Sequence, residues 1–118
     1  MSASRGVLAQ VMRWQYRRWP LAGNVLAEAV LSLRPWDAVK TRLAINRVAF
    51  LPGLHHAPYP ILGIVGTASW PRSVTFMRVM GDAVPGARLV TVENSNDPTP
   101  LCAPDAFHQI LEGFLSAV

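Results

Sequence analysis

The spacing of apolar positions predicts helices in the front half of the chain. Leu8, Val11, Met12 and Tyr16 fall along one face of a helix predicted over residues 7–19, which Pro20 ends. Asn24 is a suitable N-cap for a second helix that reaches about residue 33. Asp37 is a suitable N-cap for a third, over residues 38–47, and a Pro- and Gly-rich connector follows over residues 51–60.

The second half alternates between strand and helix patterns. Residues 61–65 form a continuous apolar run between Pro60 and Gly66, which is typical of a strand buried on both faces. Residues 72–83 read as a helix, residues 88–92 as a second strand, and residues 93–100 as a polar loop. Pro104 suits the first turn of a final helix, whose apolar stripe is Phe107, Ile110, Leu111, Phe114 and Val118. Strand, helix, strand and helix with short connections predict an α/β fold with parallel strands.

Composition makes this a small and apolar chain. It has 118 residues, of which 51% are hydrophobic and 15% charged, so a mainly disordered state is excluded. A globule of this size buries only about two-thirds of its unfolded surface. We therefore expect part of the apolar material to face a partner.

The net charge of +4 belongs to the front half. Residues 1–47 hold eight basic residues against two acidic ones, whereas residues 48–118 hold three against five. A solvated helix face is the favoured interpretation. The alternative is that Arg13, Arg17 and Arg18, beside Trp14 and Trp19, bind an anionic membrane or a nucleic acid.

The cysteine and histidine content predicts neither a disulfide framework nor a metal site. A lone cysteine, Cys102, fits a reducing compartment, so we expect a cytoplasmic protein; the alternative is organelle targeting through the Arg-containing, acid-free N-terminus. The adjacent His55 and His56 lack any recognised zinc spacing with Cys102 or His108. No cofactor motif is visible, and the uncharged stretch over residues 48–71 contains too many prolines for a spanning helix.

The chain from Pro60 to Val118 resembles the C-terminal part of the α/β-hydrolase superfamily. In that family a strand ends in a Gly-containing turn that carries the catalytic acid, and a helix, a "PGAR" strand, the histidine loop and a final helix follow. The matching stretches here are residues 61–69, 84–93, 103–107 and 113–115. The resemblance implies a hydrolase-like unit over residues 59–118, preceded over residues 1–58 by a helical segment at the position of the family's cap.

The resemblance also assigns site positions, and the residues at them depart from the family pattern. Ser69 stands at the acid position, while the base position falls on Asp97 or, in another register, on Asn96. Asn cannot shuttle a proton, and an ordinary Asp, with a pKa of about 3.9, is a weak base for a serine hydroxyl. None of the serines stands in a G-x-S-x-G turn, and by the resemblance the nucleophile strand would lie upstream of Met1.

Three hypotheses about function follow. The first is an α/β-hydrolase-like relative of ester and acyl hydrolases, truncated or diverged and catalytically inactive alone. In it, the edge of the strand from Ile61 to Val65 would dock a complementing chain or a second copy. The second hypothesis is a non-catalytic module that binds an anionic surface or a partner chain through the basic front helices. The third is a free-standing enzyme that uses Ser69 or Cys102 as its nucleophile.

Overall fold

The computed structural model describes residues 2–118, apart from the side chains of Ser2, Ala3 and Pro35. Contacts divide the chain into two compact units, of which the first ends at Val48 and the second comprises Ala49–Val118. The domain boundary that the sequence predicts, between residues 58 and 59, falls ten residues further along. The contacts of the Pro-rich connector, residues 51–60, therefore place it in the second unit.

The first unit contains helices α1 (Ser2–Gln15), α2 (Pro20–Ser32) and α3 (Pro35–Ile45). The contact between α1 and α2 is built from small side chains, because Ala9, Ala22, Gly23 and Ala27 are all buried. A Cβ on Gly23 would lie 3.5 Å from the Cα of Arg13 in α1, so the two helices lie close together there. The predicted apolar face of α1 was partly wrong. Leu8 and Val11 are exposed, and Ala9 is the buried residue of that helix.

Prolines mark the helix starts. Six helices of the described chain, α2 to α7, carry a proline at their first or second position. The proline ring presets the helical φ and the missing N–H is not needed there. The predicted N-caps Asn24 and Asp37 were wrong for this reason. Helix α2 begins at Pro20 and α3 at Pro35, which places Asn24 and Asp37 inside the helices.

The second unit mixes helices with two parallel strands. Strand β1 (Leu62–Gly66), helix α5 (Pro71–Ala83), strand β2 (Arg88–Val92) and helix α7 (Pro104–Ser116) confirm the predicted order of elements. The strands pair in parallel, with Ile64 opposite Val90. Two short helices were not predicted, α4 (Leu51–His55) in the connector and α6 (Thr99–Cys102) at the end of the polar loop.

Helices cover both faces of this two-stranded sheet. A Cβ on Gly63 would meet the terminal methyl groups of Met77 and Met80, so Gly63 faces α5. Because side chains alternate along a strand, Leu62 and Ile64 face the opposite side. There they share a cavity with the apolar stripe of α7. The buried apolar core is small, and among the described residues of this unit it consists of Val65, Met80, Val84 and Val92.

In the part of the chain that the structure describes, no helix combines the length and the apolar character needed to cross a membrane. The uncharged stretch that raised this question contains α4 and β1, whose described lengths are only five residues each.

Candidate functional site

A cavity of about 330 Å³ opens at the carboxyl end of β1. Ligands of parallel sheets bind in the crevice outside the carboxyl ends of the strands, so this is where a site is expected. The wall combines apolar side chains with hydroxyl groups and two opposite charges. The lining residues are Ile64, Val65, Gly66, Ser69, Arg72, Ser73, Phe76, Met77, Asp97 and Thr99.

The loops that follow the two strands are bonded to each other, which fixes the rim of the cavity. The amide of Thr67 donates to the carbonyl of Val92, and the amide of Ala68 donates to the carbonyl of Ser95, each at 2.9 Å. The hydroxyl of Thr67 accepts from the amide of Asn94 at 3.0 Å. Asn94 has a φ of 56°, a left-handed conformation that asparagine tolerates better than most residues. The rim is therefore held by backbone hydrogen bonds and by the hydroxyl of Thr67.

Ser69, at the position that the resemblance assigns to the catalytic acid, is buried in this wall. Only 7% of its surface is exposed, and its hydroxyl oxygen has no hydrogen-bond partner among the described residues. A buried hydroxyl without a partner is unfavourable by about 1–3 kcal/mol. Its amide, in contrast, donates to the carbonyl of Gly66 at 3.1 Å, which closes the turn after β1.

The two candidates for the base position differ in their placement. Asp97 is exposed and lines the cavity, whereas Asn96 is buried and does not appear in its wall. The side-chain oxygen of Asn96 accepts a hydrogen bond of 2.8 Å from the amide of Asp97. The peptide that joins Asp97 to Pro98 is cis. Asn96 thus supports the loop, and Asp97 is the one of the two that a molecule in the cavity would meet.

Side chains of opposite charge, Arg72 and Asp97, line the cavity. Arg72 and Ser73 come from the first turn of α5, and Thr99 begins α6. Hydroxyls, a guanidinium and the N-terminus of α5 favour an anionic oxygen on that wall. The carboxylate of Asp97, by contrast, would accept a hydrogen bond from a donor group of a ligand. Sequence reasoning missed Arg72, Ser73 and Thr99 as cavity residues. The sequence signal that could have identified them is their position in the segments that follow the two predicted strands.

The histidines lie elsewhere. A ring nitrogen of His55 is 3.1 Å from the carbonyl of Ala83, and the rings of His55 and His56 meet edge to face at 5.1 Å. His108 is exposed on α7, where its Nε2 lies 3.0 Å from a carboxylate oxygen of Glu112. Among the residues that the structure describes, no histidine lines the cavity. The cavity therefore contains hydroxyls and a carboxylate without an imidazole to relay a proton.

Cys102 lies next to this loop, at the end of α6, and is half-buried. Burial raises the pKa of its thiol, and the negative charge of Asp97 raises it further, while a hydrogen bond with the backbone of Asn96 opposes both effects. A raised pKa keeps the thiol protonated near neutral pH, when it is a poor nucleophile. This arrangement favours a packing role for Cys102.

No group of His, Cys, Asp and Glu residues within residues 2–118 could hold a metal ion. Comparisons with known proteins add no family to this picture. No family model matches the chain, and neither a curated protein nor a solved structure matches it.

Proposed function

We propose that the chain is a non-catalytic relative of the α/β-hydrolases, corresponding to the C-terminal part of their sheet. The observation that carries the proposal is the meeting of Ser69 and Asp97 in one cavity. By the resemblance, Ser69 stands at the family's acid position and Asp97 at one of two candidate base positions, the other being Asn96. Along the chain, 27 residues lie between Ser69 and Asp97. The parallel pairing of β1 with β2 around α5 supports the same relationship.

The chemistry of the two positions supports a lack of activity. Among the described residues, no imidazole lines the cavity beside Ser69 to remove the proton of its hydroxyl. A serine nucleophile needs a base within hydrogen-bond reach.

The purified chain, incubated with p-nitrophenyl acetate and butyrate, is expected to show hydrolysis no faster than that of heat-denatured chain. A fluorophosphonate probe, which labels activated serines, should leave the mass of the protein unchanged. A stoichiometric adduct that disappears in Ser69→Ala but persists in Ser116→Ala would contradict the proposal, since Ser116 is exposed at the end of α7.

A second candidate function rests on a separate observation in the first unit. The guanidinium of Arg17 lies 5.0 Å from the ring centre of Trp14, and that of Arg18 lies 5.4 Å from the ring centre of Trp19. Trp14 is 68% exposed. Exposed indole and guanidinium groups together favour the headgroup region of an anionic lipid surface. In this second proposal the basic helices bind such a surface.

Sedimentation with lipid vesicles tests the second candidate. Binding to vesicles that contain phosphatidylserine should exceed binding to neutral phosphatidylcholine vesicles, and 0.5 M salt should weaken it, because the charges are screened. Replacing Arg13, Arg17 and Arg18 with Gln should reduce it. Binding that is equal for both vesicle types, or unaffected by salt, would argue against this candidate.

A further inference from the structure

We propose that the free edge of β1 binds β1 of a second copy of this chain. The two strands would run antiparallel with Ile64 opposite its counterpart, so that the second units of two copies share a four-stranded sheet.

The backbone of β1 has hydrogen-bonding groups that point away from β2. The carbonyl of Ile61 accepts from Arg88, and the amide of Thr67 donates to Val92, so odd-numbered residues of this stretch face β2. In a parallel pair, alternate residues face the neighbouring strand. The amides and carbonyls of Leu62 and Ile64 therefore point to the open edge. In the described part of the chain, no backbone bond outside the regular helices and strands reaches them.

The sequence of β1 has none of the features that normally block strand addition. β1 has the sequence LGIVG, without charge or proline. Proteins usually protect an open edge with charged residues, prolines or bulges. β2 is different, because Arg88 and Thr91 are exposed on it. An unprotected apolar edge predicts that another strand pairs with β1.

Two cavities border the whole length of the edge. The cavity of about 330 Å³ described above adjoins Ile64, Val65 and Gly66. A second one, of about 510 Å³, adjoins Leu62, Gly63 and Ile64. Its other walls come from both helix layers, Met77 of α5 on one side and Phe107, Leu111, Phe114 and Leu115 of α7 on the other. The helix layers thus extend beyond the sheet and leave a groove of the kind that one more strand fills.

The cavity of about 510 Å³ has apolar walls from both helix layers, and the chemistry of this part of the groove matches β1 itself. A strand lying between two apolar helix layers must be apolar on both faces and carry no charge. β1 meets this requirement, with Leu62 and Ile64 on one face and Val65 on the other. Ile64 is also the middle of the strand. A twofold axis through it pairs Ile64 with its counterpart, so the open amides and carbonyls of the two Ile64 residues bond reciprocally. The same axis places Leu62 opposite Gly66, whose carbonyl already accepts the amide of Ser69.

The flanking helix α5 is also complementary to its own copy. A twofold axis perpendicular to the sheet places the α5-covered faces of both copies on the same side of the shared sheet. Helix α5 then lies antiparallel beside α5 of the second copy. Phe76 and Val79, which are 56% and 50% exposed, would then be covered. Arg72 stands at the start of α5 and Asp82 near its end, so opposite charges meet in an antiparallel pair. This charge arrangement favours a second copy over an unrelated strand.

Sedimentation equilibrium of the purified full chain is expected to give twice the 12.9 kDa mass of one copy at tens of micromolar. Ile64→Lys places a charge at the centre of the new pair, and Phe76→Glu places one between the two α5 helices. Each should weaken the dimer by about thirtyfold or more, the effect of losing a central interface residue. Phe50→Glu is the matched control and should leave the dimer intact, since Phe50 is 54% exposed and lines none of the cavities along this edge.

A cysteine cross-link tests the register. In a Cys102→Ser background, Ile64→Cys should form a disulfide between copies on mild oxidation. Paired strand residues are about 5.5 Å apart at Cα, within the range of a disulfide. Leu62→Cys is the control on the same face of the strand. It should not cross-link, because in this register its counterpart lies about four residues away along the strands, roughly 13 Å.

Several outcomes would overturn the proposal. These are a monomer at 100 µM, a dimer that survives both Ile64→Lys and Phe76→Glu, or cross-linking that is equally efficient at both cysteines. Because Phe76 is exposed, its substitution should leave the fold intact. A circular dichroism spectrum identical to that of the unchanged chain verifies this.

Discussion

Gly66 packs directly against the backbone carbonyl of Ser95, with no room for a side chain between them. A Cβ on Gly66 would overlap both the carbonyl carbon and oxygen of Ser95, and the same oxygen accepts the amide of Ala68. At this point strand β1 and the loop after β2 thus meet backbone against backbone. This contact determines where the wall with Ser69 stands relative to the loop with Asp97.

The contact predicts that Gly66→Ala is strongly destabilising. We expect the free energy of unfolding to fall by about 3 kcal/mol or more, because backbone on both sides must move apart. Gly113→Ala is the control. Gly113 lies within α7 with open space around it, so the substitution should stabilise by about 0.5–1 kcal/mol through helix propensity. Urea unfolding of the full chain measures both. Equal midpoints for Gly66→Ala and the unchanged chain would contradict the close approach.

The second unit was predictable from sequence because its signals are local. Proline and glycine bound the strands, and the helical stripes of α5 and α7 are long enough to identify. Helices α4 and α6, of five and four residues, are too short to show a period. Tertiary contacts and the prolines near their starts determine them.

Other features depend on contacts between elements that are distant in sequence. The small residues Ala9, Ala22 and Gly23, rather than Leu8 and Val11, form the contact between α1 and α2. An apolar stripe in the sequence does not show which of the residues beside it will pack closely against another helix. In the same way, the sequence assigned Ser69 and Asp97 to a site, but it could not show that the Ser69 hydroxyl is buried without a partner.

The unpartnered hydroxyl of Ser69 predicts an unusual response to mutation. Ser69→Ala should leave the free energy of unfolding unchanged or raise it by up to about 1 kcal/mol, since it removes a buried polar group that makes no bond. Ser95 is the matched control, being fully buried with a hydroxyl that donates to the carbonyl of Asn96 at 3.1 Å. Ser95→Ala should destabilise by about 1 kcal/mol. A larger loss for Ser69→Ala than for Ser95→Ala would show that Ser69 has a bonding partner in solution.

The start of α2 at Pro20 predicts the effect of changing Asn24. If Asn24 capped the helix, Asn24→Ala would cost about 1 kcal/mol. Inside the helix, alanine has a higher helix propensity than asparagine, so we expect the free energy of unfolding to rise by about 0.5 kcal/mol. Asp37→Ala should instead lower the free energy of unfolding. Asp37 lies in the first turn of α3, where a negative charge interacts favourably with the helix dipole. Thermal unfolding followed by circular dichroism at 222 nm distinguishes the two. A loss of stability in Asn24→Ala would contradict this helix start.

The surroundings of Cys102 predict slow alkylation with a shifted pH dependence. Burial and the charge of Asp97 raise the pKa of the thiol, so at each pH between about 7 and 9 a smaller fraction is thiolate than in an unstructured peptide. The rate with iodoacetamide should therefore be lower at pH 8 and continue to rise at pH values where the peptide rate has levelled off.

Asp97→Asn removes one of the two causes of the raised pKa, so it should lower the pKa of Cys102 and speed alkylation at pH 8. Asp105→Asn, which changes an exposed carboxylate at the start of α7, should have no such effect. Alkylation of the unchanged chain as fast as that of the peptide would contradict the raised pKa and reopen a nucleophilic role for this thiol.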